Sequence, residues 1–428
     1  MSQTLSAHLI ATFENDPLTP VVVAYSGGPD STALLHALAT LPRRPPLRAL
    51  HVDHGLQADS ASWAAHCRRF CEDLDVPLAV VRVSVDLSRG DGTESAARRA
   101  RRAAFVGHLR PGERLVLAHH RDDQMETVLL KLLRGAGPEG LGGMRERRSL
   151  GAGEQWRPVL DLPREALLAH VARHALDTVH DPSNDDPRVA RAVLRARVMP
   201  ALAGLWPQAA RSIVHSARLC RDAADTLEGA WAPRLTALTR ADGSLDAAGW
   251  LGLPPALRIP LLDRWLHDAG RDAPTSAQRE ALERQIREAA LDRLPQMGWL
   301  GTEVRLWRGR LWAMPRAEPF DAAWEIPWRG EPVALPGGGT LTLDAARLPQ
   351  PVTVRYRRGG ETLRPAGDRH TRELRDLFQR DGVPPWERPR IPLIHDPDGR
   401  LIAVGDRWFT AEAEALFDAA GARPAWRR

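Results

Sequence analysis

Cysteine and lysine are both scarce in this sequence. Its 428 residues include three cysteines, Cys67, Cys71 and Cys220, and a single lysine, Lys131. No two of the cysteines have the spacing of a zinc or redox motif, and an odd, sparse set is typical of the reducing cytosol. We therefore expect a cytoplasmic protein.

Long apolar runs and repeats are also missing. No run is long enough to span a bilayer, the polar first residues do not predict a signal peptide, and no repeats of about 20–50 residues are visible. Positive charge is plentiful, because arginine gives a formal net charge of +5 and a pI near 9.8. A codon bias toward arginine explains the scarcity of lysine but not the excess of positive charge, which indicates a polyanionic partner.

The first half of the chain alternates between short apolar strands and helix-like stretches. Strands are predicted at 21–25, 47–52, 78–85 and 114–118, with helices near 30–41, 60–74 and 93–109 between them. This order predicts an α/β fold with a doubly wound parallel sheet. Such sheets bind ligands outside the carboxyl ends of their strands, so SGGPDS, HVDHGL and HHRDDQMET, which follow three strands, should lie along one edge.

The alternation stops near Ala201. The chain to about residue 294 is predicted to be mainly helical, with a capping box at Thr275 and Gln278. EVRLWRGRLWAM alternates around an Arg-Gly turn and predicts a hairpin. We expect four parts, which are an α/β domain over 1–205, a helical domain over 206–315, a linker over 316–350 and a small α+β domain over 351–428.

SGGPDS has the composition of an anion cradle. Gly27 and Gly28 permit backbone angles that let successive N–H groups turn toward a phosphate, and the following helix adds its positive dipole end. The Walker A Gly-Lys-Ser/Thr is absent, so a kinase or GTPase fits poorly. A cradle without lysine suits a departing pyrophosphate, with Mg²⁺ on Asp30. The alternative is a plain strand-to-helix turn capped by Asp30 or Ser31.

A second group of polar side chains lies in LAHHRDDQMET. His119, Asp122, Asp123 and Glu126 have the spacing i, i+3, i+4 and i+7, so they share a face if the segment is helical. Such a face could hold a metal ion or a cationic substrate. The alternative is a solvated helix start that carries acids near its N-terminus.

S-G-G-x-D-S after a first strand resembles the PP-loop of the ATP-pyrophosphatase superfamily, whose members release pyrophosphate from ATP while adenylating a carbonyl oxygen. The longer motifs resemble those of tRNA(Ile)-lysidine synthetases. They are HVDHGL, ESAARRAR, LAHHRDDQMETVLLKLLRGAGPEGLGGM, RPVLDLPREAL, DPSNDD, LRARVMPAL and LFQRDGVPPWERPRIPLI. The resemblance covers most of the chain and is weakest in the middle.

This resemblance implies a two-step reaction on the wobble cytidine of tRNA(Ile) with the anticodon CAU. ATP adenylates O2 of the cytosine and releases pyrophosphate; the side-chain amine of free L-lysine then attacks C2 and expels AMP. The product is lysidine, and the tRNA changes identity from methionine to isoleucine. ATP and Mg²⁺ are the implied cofactors, the catalytic PP-loop domain would be 1–205, the other two domains would bind tRNA, and relatives often dimerise.

The resemblance also implies roles for individual residues. The catalytic candidates are Asp30, Asp123, Glu126 and Arg98, with Glu126 as the first choice for deprotonating the attacking amine and Asp123 as the second. ATP and Mg²⁺ would be bound by Ser26, Gly27, Gly28, Pro29, Asp30 and Ser31, with the metal on Asp30 and with His51 and Asp53 at the adenosine. Lysine and tRNA would be bound by His119, Asp122, Arg191, Arg195, Arg372 and Arg375.

Three alternatives remain open. A thiouridine- or thiocytidine-forming relative shares the PP-loop but usually carries C-x-x-C, whereas Cys67 and Cys71 are spaced C-x-x-x-C. An amidating synthetase would bring a glutaminase or ammonia route, and none is visible. A non-catalytic RNA-binding protein could retain the ATP fold, but the intact acids Asp30, Asp123 and Glu126 favour an enzyme.

Overall fold

The computed structural model describes residues 4–14, 19–55, 57, 59–86, 93–182, 186–289, 295–344 and 347–427. The middle of the DPSNDD motif, residues 183–185, lies outside the described residues. The chain forms two compact units, Met1–Ala230 and Trp231–Arg428.

A six-stranded sheet with the order β3-β2-β1-β4-β6-β5 organises the first unit. Its strands are β1 (Val21–Ala24), β2 (Leu47–Asp53), β3 (Leu78–Arg82), β4 (Arg114–Val116), β5 (Arg147–Leu150) and β6 (Gly153–Trp156). All neighbours pair in parallel except β5, which is antiparallel to β6. The predicted parallel α/β sheet is confirmed, and the β5–β6 hairpin is an addition that was not predicted.

Helices lie on both faces of this sheet. The helices of this part of the chain are α1 (Leu5–Glu14), α2 (Pro29–Ala39), α3 (Ser60–Asp73), α4 (Thr93–His108), α5 (Arg121–Leu133), α6 (Pro138–Leu141), α7 (Arg164–Arg173), α8 (Ala190–Val193), a π-helical turn (Leu194–Val198), α9 (Met199–Leu205) and α10 (Ala209–Leu238), which continues past the last residue of the first unit. Residues of α1, α2, α3 and α7 share one core with β1, and residues of α4 share the other. Along β1, Val21 and Val23 enter a core with Leu34, whereas Val22 enters a second core with Phe105. Burial on both faces explains why β1 is a continuous run of valines.

The expected grouping of polar segments is confirmed. β1 pairs in parallel with β2 on one side and with β4 on the other. The segments that follow these three strands therefore leave the same edge of the sheet.

The second unit begins with a helical and a β part. Its helices are α11 (Ala247–Leu251), α12 (Pro255–Asp268) and α13 (Ser276–Arg287), and its first sheet is β7 (Leu245–Asp246), β8 (Gln296–Trp299), β9 (Thr302–Trp307) and β10 (Arg310–Pro315). β9 and β10 form the predicted hairpin around Arg308 and Gly309. The predicted capping box is also confirmed, because Gln278 N donates to Thr275 Oγ1 at 3.3 Å and Thr275 N donates to Gln278 Oε1 at 2.9 Å.

The remainder of the second unit is a small mixed fold. Its elements are β11 (Glu325–Trp328), β12 (Val333–Ala334), β13 (Thr340–Thr342), β14 (Val352–Arg355), β15 (Thr362–Leu363), β16 (Arg372–Glu373), α14 (Leu374–Arg380), a 3₁₀ turn (Arg388–Arg390), β17 (Leu393–His395), β18 (Leu401–Val404), β19 (Trp408–Phe409), α15 (Ala411–Ala419) and β20 (Ala425–Arg427). Trp328 and Leu341 are buried in one core with Val354 and Phe378. The stretch 316–350, which we expected to be a linker, therefore contributes strands and core side chains.

None of the helices in the described part of the chain has both the length and the hydropathy needed to cross a bilayer.

Candidate active site

The turn between β1 and α2 is held in a shape that requires glycine. Gly27 has a φ of +84°, and a Cβ at this position would lie 3.1 Å from Cys67 Sγ and 3.1 Å from Val179 Cγ2. Its carbonyl accepts hydrogen bonds from Thr32 Oγ1 at 3.1 Å and from Val179 N at 2.8 Å. The backbone is thus fixed in the left-handed region, as a phosphate cradle requires.

The start of α2 has no side-chain cap. Gly28 is the N-cap residue, Pro29 is the first helical residue, and no side chain caps the helix at this point. The alternative of a turn capped by Asp30 or Ser31 is therefore wrong. Ser31 Oγ instead lies 3.0 Å from Ser26 Oγ and donates to the Gly28 carbonyl at 3.1 Å, which stiffens the turn in front of the positive helix end.

Helix α5 begins later than the sequence spacing suggested. His120 is its N-cap residue and forms a capping box with Asp123, whose Oδ2 accepts from His120 N at 3.1 Å. His119 precedes the helix, so its predicted place on one helical face with Glu126 is wrong. The ring of His119 instead faces Arg157, because its Nδ1 accepts a hydrogen bond from Arg157 Nε at 3.0 Å.

Asp30 joins the PP-loop to α5 and α7. Arg164 Nε lies 3.2 Å from Asp30 Oδ1, and His120 Nε2 lies 3.8 Å from Asp30 Oδ1 and 3.3 Å from Asp123 Oδ2. Asp122 Oδ2 accepts from Arg164 N at 2.9 Å and so caps α7. Burial by itself would raise the pKa of Asp30, but the hydrogen bond and charge of His120 and the charge of Arg164 outweigh it and hold this pKa below its ordinary value.

Glu126 is fully buried and belongs to an ion pair with Arg195. Arg195 Nε donates to Glu126 Oε1 at 2.7 Å and Nη2 donates to Oε2 at 3.0 Å, while Nη2 also lies 3.5 Å from Asp123 Oδ1. Arg195 comes from the π-helical turn, a distortion that is frequent at functional sites. The first choice of Glu126 as the base does not fit this geometry, because the side chain is fully buried and neither of its oxygens reaches solvent.

An electropositive region adjoins these acids. His119 has a pKa well below its ordinary value, first because of burial and then because of the charges of Arg157, Arg101, Arg191 and Arg98. Arg191 Nη2 also donates to Thr127 Oγ1, at 3.2 Å. Concentrated positive charge of this kind suits a polyanion.

Arg157 sits within the same region. Burial, together with the charges of Arg98, Arg148 and Arg221, lowers the pKa of Arg157 to about 10. Neither Arg157 nor Arg164 was among the residues predicted to have a role. Both arginines belong to the RPVLDLPREAL motif, so the sequence indicated that this segment matters for function. The motif did not show which of its side chains face the site.

His51 and Asp53 lie at the carboxyl end of β2, next to β1. His51 is buried, with Nδ1 2.9 Å from the Tyr25 carbonyl and 3.5 Å from Cys67 Sγ. Asp53 Oδ1 accepts from Gly55 N at 2.8 Å. Both side chains therefore have protein partners at the edge where we expect adenosine.

The remaining two candidates belong to the second unit. Arg372, in β16, pairs with Asp368, whose Oδ2 lies 2.6 Å from its Nε. Arg375, in the first turn of α14, is exposed.

Comparison with known proteins shows similarity over most of the chain. Family models match it as a PP-loop domain over residues 1–202, a TilS substrate binding domain over 245–312 and a TilS substrate C-terminal domain over 352–426. A tRNA(Ile)-lysidine synthase of Xanthomonas campestris pv. campestris (strain 8004) is 43% identical over 418 residues, which is 96% of each chain. The chain belongs to the tRNA(Ile)-lysidine synthase family.

Other relatives agree with this assignment. A tRNA(Ile)-lysidine synthase of Pseudomonas aeruginosa is 43% identical over 401 residues, which cover 90% of this chain and 89% of the relative. As a member of the tRNA(Ile)-lysidine synthase family, the chain is an ATP-binding ligase of tRNA modification, and the predicted enzyme class is confirmed. A solved U34-tRNA thiolase of Methanococcus maripaludis is 18% identical, with a TM-score of 0.42 and coverage of 50% of this chain and 78% of its own.

Proposed function

We propose that this chain joins the side-chain amine of free L-lysine to C2 of the wobble cytidine in tRNA(Ile) with the anticodon CAU, through an adenylated cytidine and with release of AMP and pyrophosphate. The observation that carries the proposal is the meeting of the PP-loop with a second set of acids at one sheet edge, where His120 Nε2 lies 3.8 Å from Asp30 Oδ1 and 3.3 Å from Asp123 Oδ2. The two halves of the reaction, ATP cleavage and amine attack, need these two sets of groups side by side.

The PP-loop would hold the phosphates. The turn of Ser26, Gly27 and Gly28 presents its backbone to the start of α2, where N–H groups lack helical acceptors. Asp30 supplies carboxylate oxygens of the kind that Mg²⁺ prefers, and it keeps its charge because its pKa is low. When bound there, Mg²⁺ would neutralise phosphate charge.

The acids of α5 would serve the second step. Oxygen on a pyrimidine ring leaves poorly until adenylation converts it into part of AMP, and the amine then needs to lose a proton as it attacks. We assign that proton to Asp123, because its side chain keeps 14% exposure whereas Glu126 has none. Glu126 is a positioning residue that fixes Arg195 beside Asp123.

The arginines near His119 would bind tRNA phosphates. The charges of Arg98, Arg157 and Arg191 all act on His119, and positive charge concentrated in this way would attract a polyanion. We propose in addition that residues 1–205 form the catalytic domain and that the domains over residues 206–315 and 351–428 contact tRNA. The enzyme would act in the cytoplasm, where tRNA and ATP are both present. It would form a homodimer.

The test follows radiolabelled lysine into unmodified tRNA(Ile) with a CAU anticodon, in the presence of ATP and Mg²⁺. We expect label only when ATP is present and only in this tRNA, and none in initiator methionine tRNA. Asp123→Asn should abolish transfer, while the exposed Glu139→Gln, a matched acid-to-amide change, should not. Release of pyrophosphate without incorporation of lysine would overturn lysine as the nucleophile, and neither product from folded protein would overturn the reaction.

A further inference from the structure

Helices α2 and α7 lie side by side and make matched contacts at two levels. Asp30 in the first turn of α2 meets Arg164 at the start of α7, with Nε 3.2 Å from Oδ1. Six residues further along each helix, His36 Nδ1 lies 3.0 Å from His170 Nε2. The two helices therefore run in the same direction, with the PP-loop contact at one end and a histidine pair at the other.

A third histidine completes this second contact. His174 is the C-cap residue of α7, and its ring centroid lies 4.7 Å from that of His36 and 4.5 Å from that of His170. One ring nitrogen from each histidine lies within 4.8 Å of those of the other two. In the part of the chain that the structure describes, no other three His, Cys, Asp or Glu side chains bring ligand atoms so close together.

We propose that His36, His170 and His174 form a binding site for a divalent transition-metal ion of the Zn²⁺ class. Imidazole nitrogen is a preferred ligand of Zn²⁺, and two nitrogens on one tetrahedral ion with Zn–N bonds of about 2.0–2.1 Å stand about 3.3 Å apart. The separations in the cluster, from 3.0 Å up to 4.8 Å, bracket this value, so small ring rotations suffice. His170 is buried, His36 is half-buried and His174 is exposed, so the cluster has one side open to solvent. A water molecule could therefore be the fourth ligand of a tetrahedral ion.

Two of the rings, those of His36 and His170, are also in the protonation state that a metal ligand requires. Burial lowers the pKa of His36, and burial together with the charges of the neighbouring histidines lowers the pKa of His170 to about 4. Both rings are therefore neutral near pH 7 and keep a lone pair for a metal. A bound ion would fasten the far ends of the two helices whose near ends carry Asp30 and Arg164.

The experiment is a metal titration of the untagged full-length chain, stripped with a chelator and kept in excess Mg²⁺ so that carboxylate sites are occupied. Co²⁺ serves as the probe, because its visible absorption reports a tetrahedral nitrogen site, and Zn²⁺ is then added as competitor. We expect one Co²⁺ per chain, displaced by one Zn²⁺, and a thermal midpoint that rises with Zn²⁺ and falls back with chelator.

His174→Ala is the informative variant, because this exposed side chain can be removed without opening the core. It should weaken Co²⁺ binding at least about tenfold. His108→Ala is the matched control, since His108 is also an exposed histidine at a helix end and its Nδ1 bonds the Ala104 carbonyl at 2.8 Å. The absence of one-to-one binding, or equal binding by wild type and His174→Ala, would show that the three rings are only a hydrogen-bonded cluster. The metal titration requires no tRNA, ATP or lysine, so its outcome is independent of whether the proposed reaction is correct.

Discussion

Arg195 holds both carboxylate oxygens of the fully buried Glu126, at 2.7 Å and 3.0 Å. The pair joins residues 69 positions apart and places a guanidinium beside Asp123. It accounts for a buried acid in α5 without giving that acid a proton-transfer role.

We expect Glu126→Gln to destabilise the protein by about 2–3 kcal/mol, because a guanidinium that is 38% exposed loses its charged partner. The free energy of unfolding is to be measured with denaturant, using Glu139→Gln as control. Glu139 is 67% exposed where it faces Arg145, so its replacement should cost less than about 0.5 kcal/mol. A Glu126→Gln protein of wild-type stability that has lost lysine transfer would instead support Glu126 as the base.

Alanine at position 27 should be far more harmful than alanine at position 28. Gly27→Ala forces a side chain into a φ of +84° and against Cys67 and Val179, which should cost about 2–4 kcal/mol in the free energy of unfolding. Gly28→Ala keeps an extended backbone with its nearest contact at 3.5 Å, so the cost should not exceed about 1 kcal/mol. Equal unfolding midpoints for the two variants would contradict the constrained turn.

Stability should depend on pH through Glu113. Hydrogen bonds from Arg48, at 2.9 Å and 2.6 Å, lower the pKa of Glu113 below its ordinary value of 4.5, against the opposing effect of burial. Because the folded pKa is depressed, the stabilisation is fully present above about pH 4.5 and is lost as the pH falls through the folded value.

Thermal midpoints of wild type and Glu113→Gln test this dependence. Their difference should be constant above about pH 5 and should shrink as the pH falls below about 4.5. A difference that does not change with pH would mean that the Arg48 contact is not an ion pair.

Arg375 and Arg372 should contribute unequally to tRNA binding. Arg375 is exposed, whereas Arg372 is already neutralised by Asp368 at 2.6 Å. If this surface binds tRNA, Arg375→Ala should weaken binding and reduce the slope of log affinity against log salt by about 0.7–0.9, and Arg372→Ala should change both less. Affinities measured from low to high salt decide this, and an unchanged slope for Arg375→Ala would remove it from the interface.

Much of the fold could be predicted from local pattern. The valine run of β1, the alternation of strands and helices and the capping box at Thr275 depend on neighbouring residues, and each is found in the structure. The prediction of a linker over residues 316–350 does not hold, because Trp328 and Leu341 belong to a core formed with residues much later in the chain. Such contacts cannot be inferred from a composition rich in proline and glycine.

The family, the parallel sheet and the edge at which polar segments collect could all be read from the sequence, since they follow from motifs and from the alternation of strands and helices. The contacts of individual side chains at that edge became known only from the three-dimensional structure. His119 and Glu126 have helical spacing in the sequence, yet His119 turns to Arg157 and Glu126 is occupied by Arg195. The physical reason is that the ion-pair partner of a buried charged side chain depends on how distant segments of the chain pack together. The spacing of residues within one segment does not predict that partner.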